Sequence, residues 1–476
     1  MEGFFLTLGR IYENVLFVYG IVLLAVYALL AILSMLAIRF YINNNRKYQL
    51  DILASSPLAP GITILAPAFN EGLTIISNVR SLLTLNYPRY EIVLINDGST
   101  DNTMEQLIAE FKLVVVDFAY TTKIMSQPIR KIYKSTDPAY SSLLVIDKVN
   151  GKSKADAVNA GINVASFDYF VCTDVDCILH KDTLLELIVP VMQERGKRVI
   201  ATGATLRIAN SSEFDEGVMT RMRPPSQLLP RFQEVEYIRS FVLGKMGWSY
   251  INCVPNVSGG LGLFDKEVAI RCGGYDHSSF GEDMELLTRM CRYAHENRID
   301  YAVRYIPRTL CWTEAPATLK IFSRQRTRWA RGLAQLITSH FGMFMNPNYG
   351  RMGLVVFPFN FFFELLAPII EASGIIIYII LALTGNINWP YALLLLLFVY
   401  TYAVMITTIS ILWDQLSFRY YKTWKEVAYL CLTPFLEFLL YHPLIVFFSL
   451  RGYYYFLTGK KSTWGNMQRQ GFGKKK

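Results

Sequence analysis

Ile62-Thr63-Ile64-Leu65-Ala66 is a short β-type run, and Asn70-Glu71 follows it at the start of an amphipathic stretch that reads as a helix to Leu83. The pattern then repeats. Glu91–Ile95 predicts a second strand, Asn96-Asp97-Gly98-Ser99-Thr100 its turn, and a helix runs on through Phe111. Leu143–Ile146 and Tyr169–Thr173 predict two more strands, with helical spacing over Ala155–Ala165 between them. Strand and helix in this alternation predict an α/β domain built on a parallel sheet with right-handed crossovers. Ligands of such sheets sit at the carboxyl ends of the strands, so polar residues just after strands are the candidates. Asn70 and Glu71, Asp97, and Asp174 with Asp176 all occupy that position. Asn96-Asp97-Gly98 also suits a plain turn, and Asp101 a helix N-cap.

Asp174-Val175-Asp176 closes the apolar run Phe167–Thr173. Alternate residues of an extended chain point the same way, so both carboxylates can face one ligand. A hard divalent cation bridging phosphates takes a few oxygen ligands and keeps several waters, which fits Mg2+ or Mn2+. Further on, Gly281-Glu282-Asp283 opens a helical stretch, Met284–Tyr293. Acids there are favoured by the helix dipole alone, but one can also take a proton from a hydroxyl within hydrogen-bond reach while its neighbour orients the site. Asp283 is the candidate base and Glu282 its companion. Gln325-Arg326-Thr327-Arg328-Trp329 lies on a predicted helix, Leu319–Ser339. Arg328 is suited to bidentate phosphate binding and Trp329 to a sugar platform, whereas Arg324, Arg326 and Arg331 read as a lipid-contacting face. A metal-holding carboxylate, a proton-accepting carboxylate and a cationic clamp for a leaving group are what transfer from a nucleotide-sugar requires.

The chain has 476 residues, 52% of them hydrophobic, with a mean hydropathy of +0.27. Val15–Ile38 and Tyr391–Trp413 carry no charge, and each exceeds the roughly 20 residues that cross a bilayer core. Two further runs, Leu354–Thr384 and Val427–Leu457, are apolar but interrupted by Pro and by Glu or His. The first run lacks a small-residue cleavage site and is too long for a secretory signal, so it reads as a retained anchor. Basic residues at Arg46-Lys47, in the 418–426 loop and beyond Arg451 place those segments on the cytoplasmic side. That requires the last apolar run to cross twice, as a hairpin. Glu364, Glu371, Glu437 and His442 within these runs read either as bonds to neighbouring helices or as a polar lining for an exiting glycan. The net charge of +9 comes without a helix-turn-helix, zinc-finger or RNA-binding motif, so nucleic acid is not an expected partner. The 7 cysteines include no C-x-x-C pair, as in a reduced cytoplasmic domain.

The motifs Pro67-Ala68-Phe69-Asn70-Glu71, Asn96-Asp97-Gly98-Ser99, Lys154-Ala155-Asp156-Ala157-Val158-Asn159, Asp174-Val175-Asp176, Gly281-Glu282-Asp283 and Gln325–Trp329 together resemble the inverting family 2 glycosyltransferases. The likeness is to the membrane-embedded processive synthases of cellulose, poly-N-acetylglucosamine, hyaluronan and chitin, and it runs from about Ile62 to Gly332 plus the flanking apolar helices. It implies a GT-A (nucleotide-diphospho-sugar transferase) domain inserted between transmembrane α-helices. The expected division is an anchor at 1–48, the catalytic domain at 49–318, interfacial helices at 319–350, membrane helices at 351–458 and a basic tail at 459–476. The resemblance implies donor contacts at Ala66, Asn70, Glu71, Asp97, Lys154, Asp174, Gln325, Arg328 and Trp329, with Asp97 reading the uracil. It implies metal at Asp174 and Asp176, base chemistry at Asp283 beside Glu282, and an acceptor site at Ser258, Gly259, Gly260 and Trp329. Two departures stand out: Gly281 occupies a position that is usually Thr, and Gly151-Lys152-Ser153-Lys154 has an extra residue, leaving Lys152 or Lys154 to face the nucleotide. The implied activity is transfer from UDP-GlcNAc or UDP-Glc to a β-linked polysaccharide at the cell membrane, with export. The expected partners are the donor, the growing glycan, membrane lipids and a candidate accessory export subunit. The alternative is transfer of one sugar to a membrane lipid.

Overall fold

The computed structural model describes residues 2–45, 50–175, 177–215 and 218–460. Asp176, the basic pair Arg46-Lys47 and the tail beyond Lys460 lie outside the described residues. The strands are β1 (Ile62–Ala68), β2 (Tyr90–Asn96), β3 (Leu113–Val115), β4 (Ile129–Ser135), β5 (Leu143–Lys148), β6 (Tyr169–Thr173), β7 (Ile178–Leu179), β8 (Arg198–Ile208), β9 (Glu213–Asp215), β10 (Val218–Arg221), β11 (Leu261–Asp265) and β12 (Tyr301–Thr313). Ten of them form one sheet in the order β3-β4-β5-β2-β1-β6-β11-β8-β12-β7, and β9 pairs with β10.

The sheet is mixed rather than parallel throughout. β5, β2, β1 and β6 are parallel, as is β8 with β12, but β11 runs antiparallel to both β6 and β8, and β3 and β4 are antiparallel additions at one edge. The central strands read clearly because both faces are covered: six of seven β1 residues are buried, so the run is continuously apolar. β4, the second strand from that edge, carries Arg130, Lys131 and Lys134 and lacks that signal. From β1 the chain passes to β2 and β5 on one side, and β6 returns to the other. β1 is therefore the switch point, and the ends of β1, β2 and β6 open on one crevice.

Among the described residues, four helices are long and apolar enough to cross a bilayer: Asn14–Asn43, Met352–Leu383, Trp389–Phe418 and Trp424–Leu457. The last is one helical segment, not the hairpin expected. Pro434 and Pro443 sit in first-turn positions, where a missing N–H costs little, and a π-helical stretch, Glu437–Tyr441, lies between them. Both prolines are thus accommodated within one segment that does not reverse.

Residues 228–250 couple the sheet to these helices. Leu228–Tyr237 continues through the π-helical Ile238–Lys245 into Met246–Tyr250. Arg207 on β8 is fully buried between Glu234 and Asp414 of the third apolar helix, with Tyr421 Oη donating to Glu234 over 2.7 Å. Arg239 makes a two-pronged pair with Glu437 and donates to Thr407 over 2.6 Å. Ser34 of the first helix donates to the Val242 carbonyl over 2.6 Å. His442 and Glu371 meet at 2.6 Å. Glu371 and Glu437 therefore bond neighbouring groups, while Glu364 lies in a separate π-helical turn, Asn360–Leu365.

Candidate active site

The loops after β1 and β2 hold each other. Asn70, at φ +56°, accepts from Thr100 N through its side chain (2.8 Å), and its own N–H donates to Ser99 Oγ (3.0 Å). Glu71 N–H donates to Thr103 Oγ1, and Glu71 Oε2 accepts from Thr74. Asp101 is a local cap, accepting from Thr103 N and Gly72 N. Asp97 is different: it is buried and accepts from Lys148 Nζ and from Gly151 N (3.0 Å). Gly98 has φ +66°, and a Cβ there would lie 2.9 Å from Asn150 N, so only glycine lets the β2 and β5 loops meet. Ala66 lies inside β1, fully buried, two residues before the strand end.

At the end of β6, Lys154 closes on Asp174. Ser153 caps the helix Lys154–Val164, and Lys154 in its first position donates to Asp174 Oδ1 and to the Gly259 carbonyl (2.8 Å). Desolvation opposes the charge on Lys154, but the Asp174 carboxylate together with Cys172 and Glu282 outweighs it and raises its pKa, so the ammonium stays charged. Lys152 is exposed at φ +57°, so Lys154 is the lysine that turns inward.

Across the crevice, helix Glu282–Glu296 presents its first turn to the same glycines. A Cβ at Gly259 would sit 3.4 Å from Asp283 Oδ2, and one at Gly260 3.8 Å from Asp174 Oδ2. The two carboxylates thus flank the Ser258-Gly259-Gly260 backbone. Glu282 points elsewhere: its Oε2 lies 3.6 Å from Arg328 Nη1, which also donates to the Phe280 carbonyl. Burial pushes the Glu282 carboxyl above its ordinary range, with the charge of Asp283 adding to the shift and that of Arg328 opposing it. The neighbouring acids therefore face different partners. Helix Leu319–Ser339 approaches so closely that a Cβ at Gly332 would lie 2.8 Å from Gly281 N.

Arg326 is not a lipid-facing residue. It is 6% exposed and donates to both oxygens of Glu236 (2.6 and 2.5 Å) and to Tyr441 Oη (2.7 Å). Its guanidinium also lies 4.6 Å from the centroid of Trp329, one ring face of which is thereby engaged within the protein. An arginine-rich helix near the apolar runs suggested a lipid-contacting face; the acid that pairs with Arg326 lies 90 residues away and left no local signal. Arg331 stacks on Phe280 at 3.9 Å, Arg324 is exposed, and Gln325 Oε1 accepts from Gln233 (3.3 Å). Sequence reasoning also passed over Lys245, although a lone lysine in Phe241-Val242-Leu243-Gly244-Lys245-Met246 was a readable signal.

The fold is that of a GT-A nucleotide-sugar transferase. The model described as Glycosyl transferase family 2 matches residues 63–239, and that described as Glycosyl transferase family group 2 matches residues 169–408. The chain belongs to this glycosyltransferase family. It is 28% identical over 328 residues to a poly-beta-1,6-N-acetyl-D-glucosamine synthase of Staphylococcus epidermidis, covering 69% of this chain and 66% of that protein. The synthase of the same name from Staphylococcus aureus (strain COL) is 28% identical over 304 residues, covering 64% and 60%. The matches thus span somewhat less than two thirds of these relatives. Among solved structures, the mannosyltransferase PcManGT from Pyrobaculum calidifontis, in complex with GDP-Man and Mn2+, superposes with a TM-score of 0.53 at 18% identity, over 92% of this chain and 100% of that one.

Proposed function

We propose that this chain transfers sugar units, with inversion, from a UDP-sugar (UDP-GlcNAc or UDP-Glc) to the end of a β-linked glycan at the membrane and passes the product outward. One observation carries the reading: Lys154, Asp174 and Asp283 converge around Gly259-Gly260 at the carboxyl edge of the sheet, while Glu282, next to Asp283, turns to Arg328. The names of the staphylococcal relatives favour N-acetylglucosamine as the sugar. The catalytic domain lies on the cytoplasmic side in this reading, where UDP-sugars are made, and an accessory subunit assists export.

The donor set suits Mg2+ or Mn2+. Asp174 is a hard carboxylate at a strand end with a 37% exposed side chain, and among the described residues no three His, Cys, Asp or Glu side chains form a cage. Such ions take one or two carboxylates and complete their shell with substrate phosphates and water. Asp174 and Asp176 would hold the ion, which when bound neutralises charge on the diphosphate. Asp283 accepts the proton of the attacking hydroxyl, on the face of the donor sugar opposite the nucleotide. Arg328, oriented by Glu282, and Lys154 stabilise the departing diphosphate. Asn70 and Asp97 brace the loops that receive the nucleoside.

The test is a panel of UDP-sugars offered to the purified protein, with linkage-specific glycosidase digestion of the product. The expected result is a polymer from UDP-GlcNAc that a β-specific enzyme degrades. A product that stays lipid-extractable with one sugar added would contradict the polymer reading.

A further inference from the structure

The π-helical stretch Ile238–Lys245 ends in a buried lysine that the roles assigned above leave unused. π-Helical turns are rare and concentrate at functional sites. Lys245 is 5% exposed, and its Nζ donates to Ser258 Oγ over 3.2 Å. The ammonium also lies 4.6 Å from the Phe241 ring centroid and 5.4 Å from that of Tyr305, both within cation–π range.

Two other buried lysines show what a structural lysine looks like in this protein. Lys148 is bonded to Asp97, to Asp156 and to the Val149 carbonyl. Lys154 is bonded to Asp174 and the Gly259 carbonyl. Each meets a carboxylate within hydrogen-bond distance. Lys245 instead meets a neutral hydroxyl and two rings, although an ammonium carries three N–H donors. Burying a charge in this way is costly. Desolvation pushes its pKa down to about 8, with the charge of Asp283 opposing the shift. Among the described residues, Asp283, from helix Glu282–Glu296, and Tyr305, from β12, are titratable groups that face it. Ser258 is the residue next to Gly259, against which Asp283 lies. Lys245 and Asp283 therefore approach the same glycine-rich backbone.

We propose that Lys245 is an acceptor-binding residue: its ammonium, steadied by Ser258, Phe241 and Tyr305, donates to a hydroxyl or carbonyl of the sugar that lies over Ser258-Gly259-Gly260 beside Asp283. This rests on the transfer site described under the proposed function. The class of acceptor it fits is a neutral, hydroxyl-rich sugar end, whose oxygens accept the hydrogen bonds that the protein leaves unmade.

The experiment uses the full chain in detergent with UDP-GlcNAc as donor and a short β-linked N-acetylglucosamine oligosaccharide as acceptor. Lys245→Met keeps the length of the side chain and removes the donor; Lys245→Arg keeps a charged donor that does not titrate. For Lys245→Met the expected result is unchanged UDP affinity with kcat/KM for the acceptor lowered at least about tenfold, the loss of one charged hydrogen bond. The wild type should lose rate as pH rises through about 8, and Lys245→Arg should retain activity while moving that limb up by a unit or more. A Lys245→Met protein with wild-type acceptor KM and pH profile, alongside an inactive Asp283→Asn control, would overturn the role of Lys245 alone. Turnover by Asp283→Asn would instead overturn the transfer site itself and this proposal with it.

Discussion

Replacing Arg326 by methionine separates a structural arginine from a lipid-facing one. In the native protein Arg326 makes three short hydrogen bonds, two to Glu236 and one to Tyr441, with 6% of its surface exposed. Burial tends to raise the pKa of Glu236, but the Arg326 guanidinium, with Tyr441 and Arg239 adding to it, more than offsets this and holds the carboxyl below its usual range. Methionine fills a similar volume but leaves Glu236, whose side chain is 20% exposed, without its main counter-charge. Breaking a buried pair from one side costs about 3–5 kcal/mol. For a unit of this size each kcal/mol lowers the melting midpoint by roughly 2–4 °C, so a drop on the order of 10 °C is expected. Adding Glu236→Gln removes the stranded charge and should recover more than half of the loss. The assay is thermal unfolding of the detergent-solubilised protein, followed by tryptophan fluorescence at one fixed scan rate. A single mutant melting within about 2 °C of wild type, as an exposed cation would allow, refutes the reasoning.

Gly332→Ala should lower turnover more than tenfold while UDP still binds, because its Cβ would press within 2.8 Å of Gly281 N and displace the turn bearing Glu282 and Asp283; initial rates and UDP titration check it. Lys245 bears on stability with a definite sign. Its folded pKa of about 8 lies below the ordinary lysine value of 10.5, so between those pH values the unfolded chain binds more protons and stability rises with pH. Below pH 8 the full cost of the buried charge is present. The stability advantage of Lys245→Met over wild type should therefore be largest below pH 8 and shrink toward pH 10.5, as read from paired melting curves. Chelation with EDTA should abolish UDP release, and added Mg2+ or Mn2+ should restore it.

The central strands and the residues at their ends were legible because a strand covered on both faces is continuously apolar and its polar terminus stands out. Helix Leu319–Ser339 was legible from end to end, with Thr318 accepting from Ile321 N as its cap. β11, which makes the sheet mixed, was not. Leu261-Gly262-Leu263-Phe264-Asp265 is short, and its direction is fixed by pairing with residues such as Thr173 and Gly203, far away in the chain. The role of residues 228–250 was hidden for the same reason. Glu234, Glu236 and Arg239 look like an ordinary charged helix until Arg207, Arg326, Asp414 and Glu437 close on them. At the site, the sequence named Asp283 the base and Glu282 its companion but could not give the partner of either acid. Only the packing shows one acid turned to Arg328 and the other to Gly259.

The direct test of the transfer chemistry is UDP release by purified Asp283→Asn protein with UDP-GlcNAc, measured beside its affinity for UDP. Loss of turnover by several orders of magnitude with UDP affinity intact is the expected result. Retained turnover would contradict Asp283 as the proton acceptor and the site built around it.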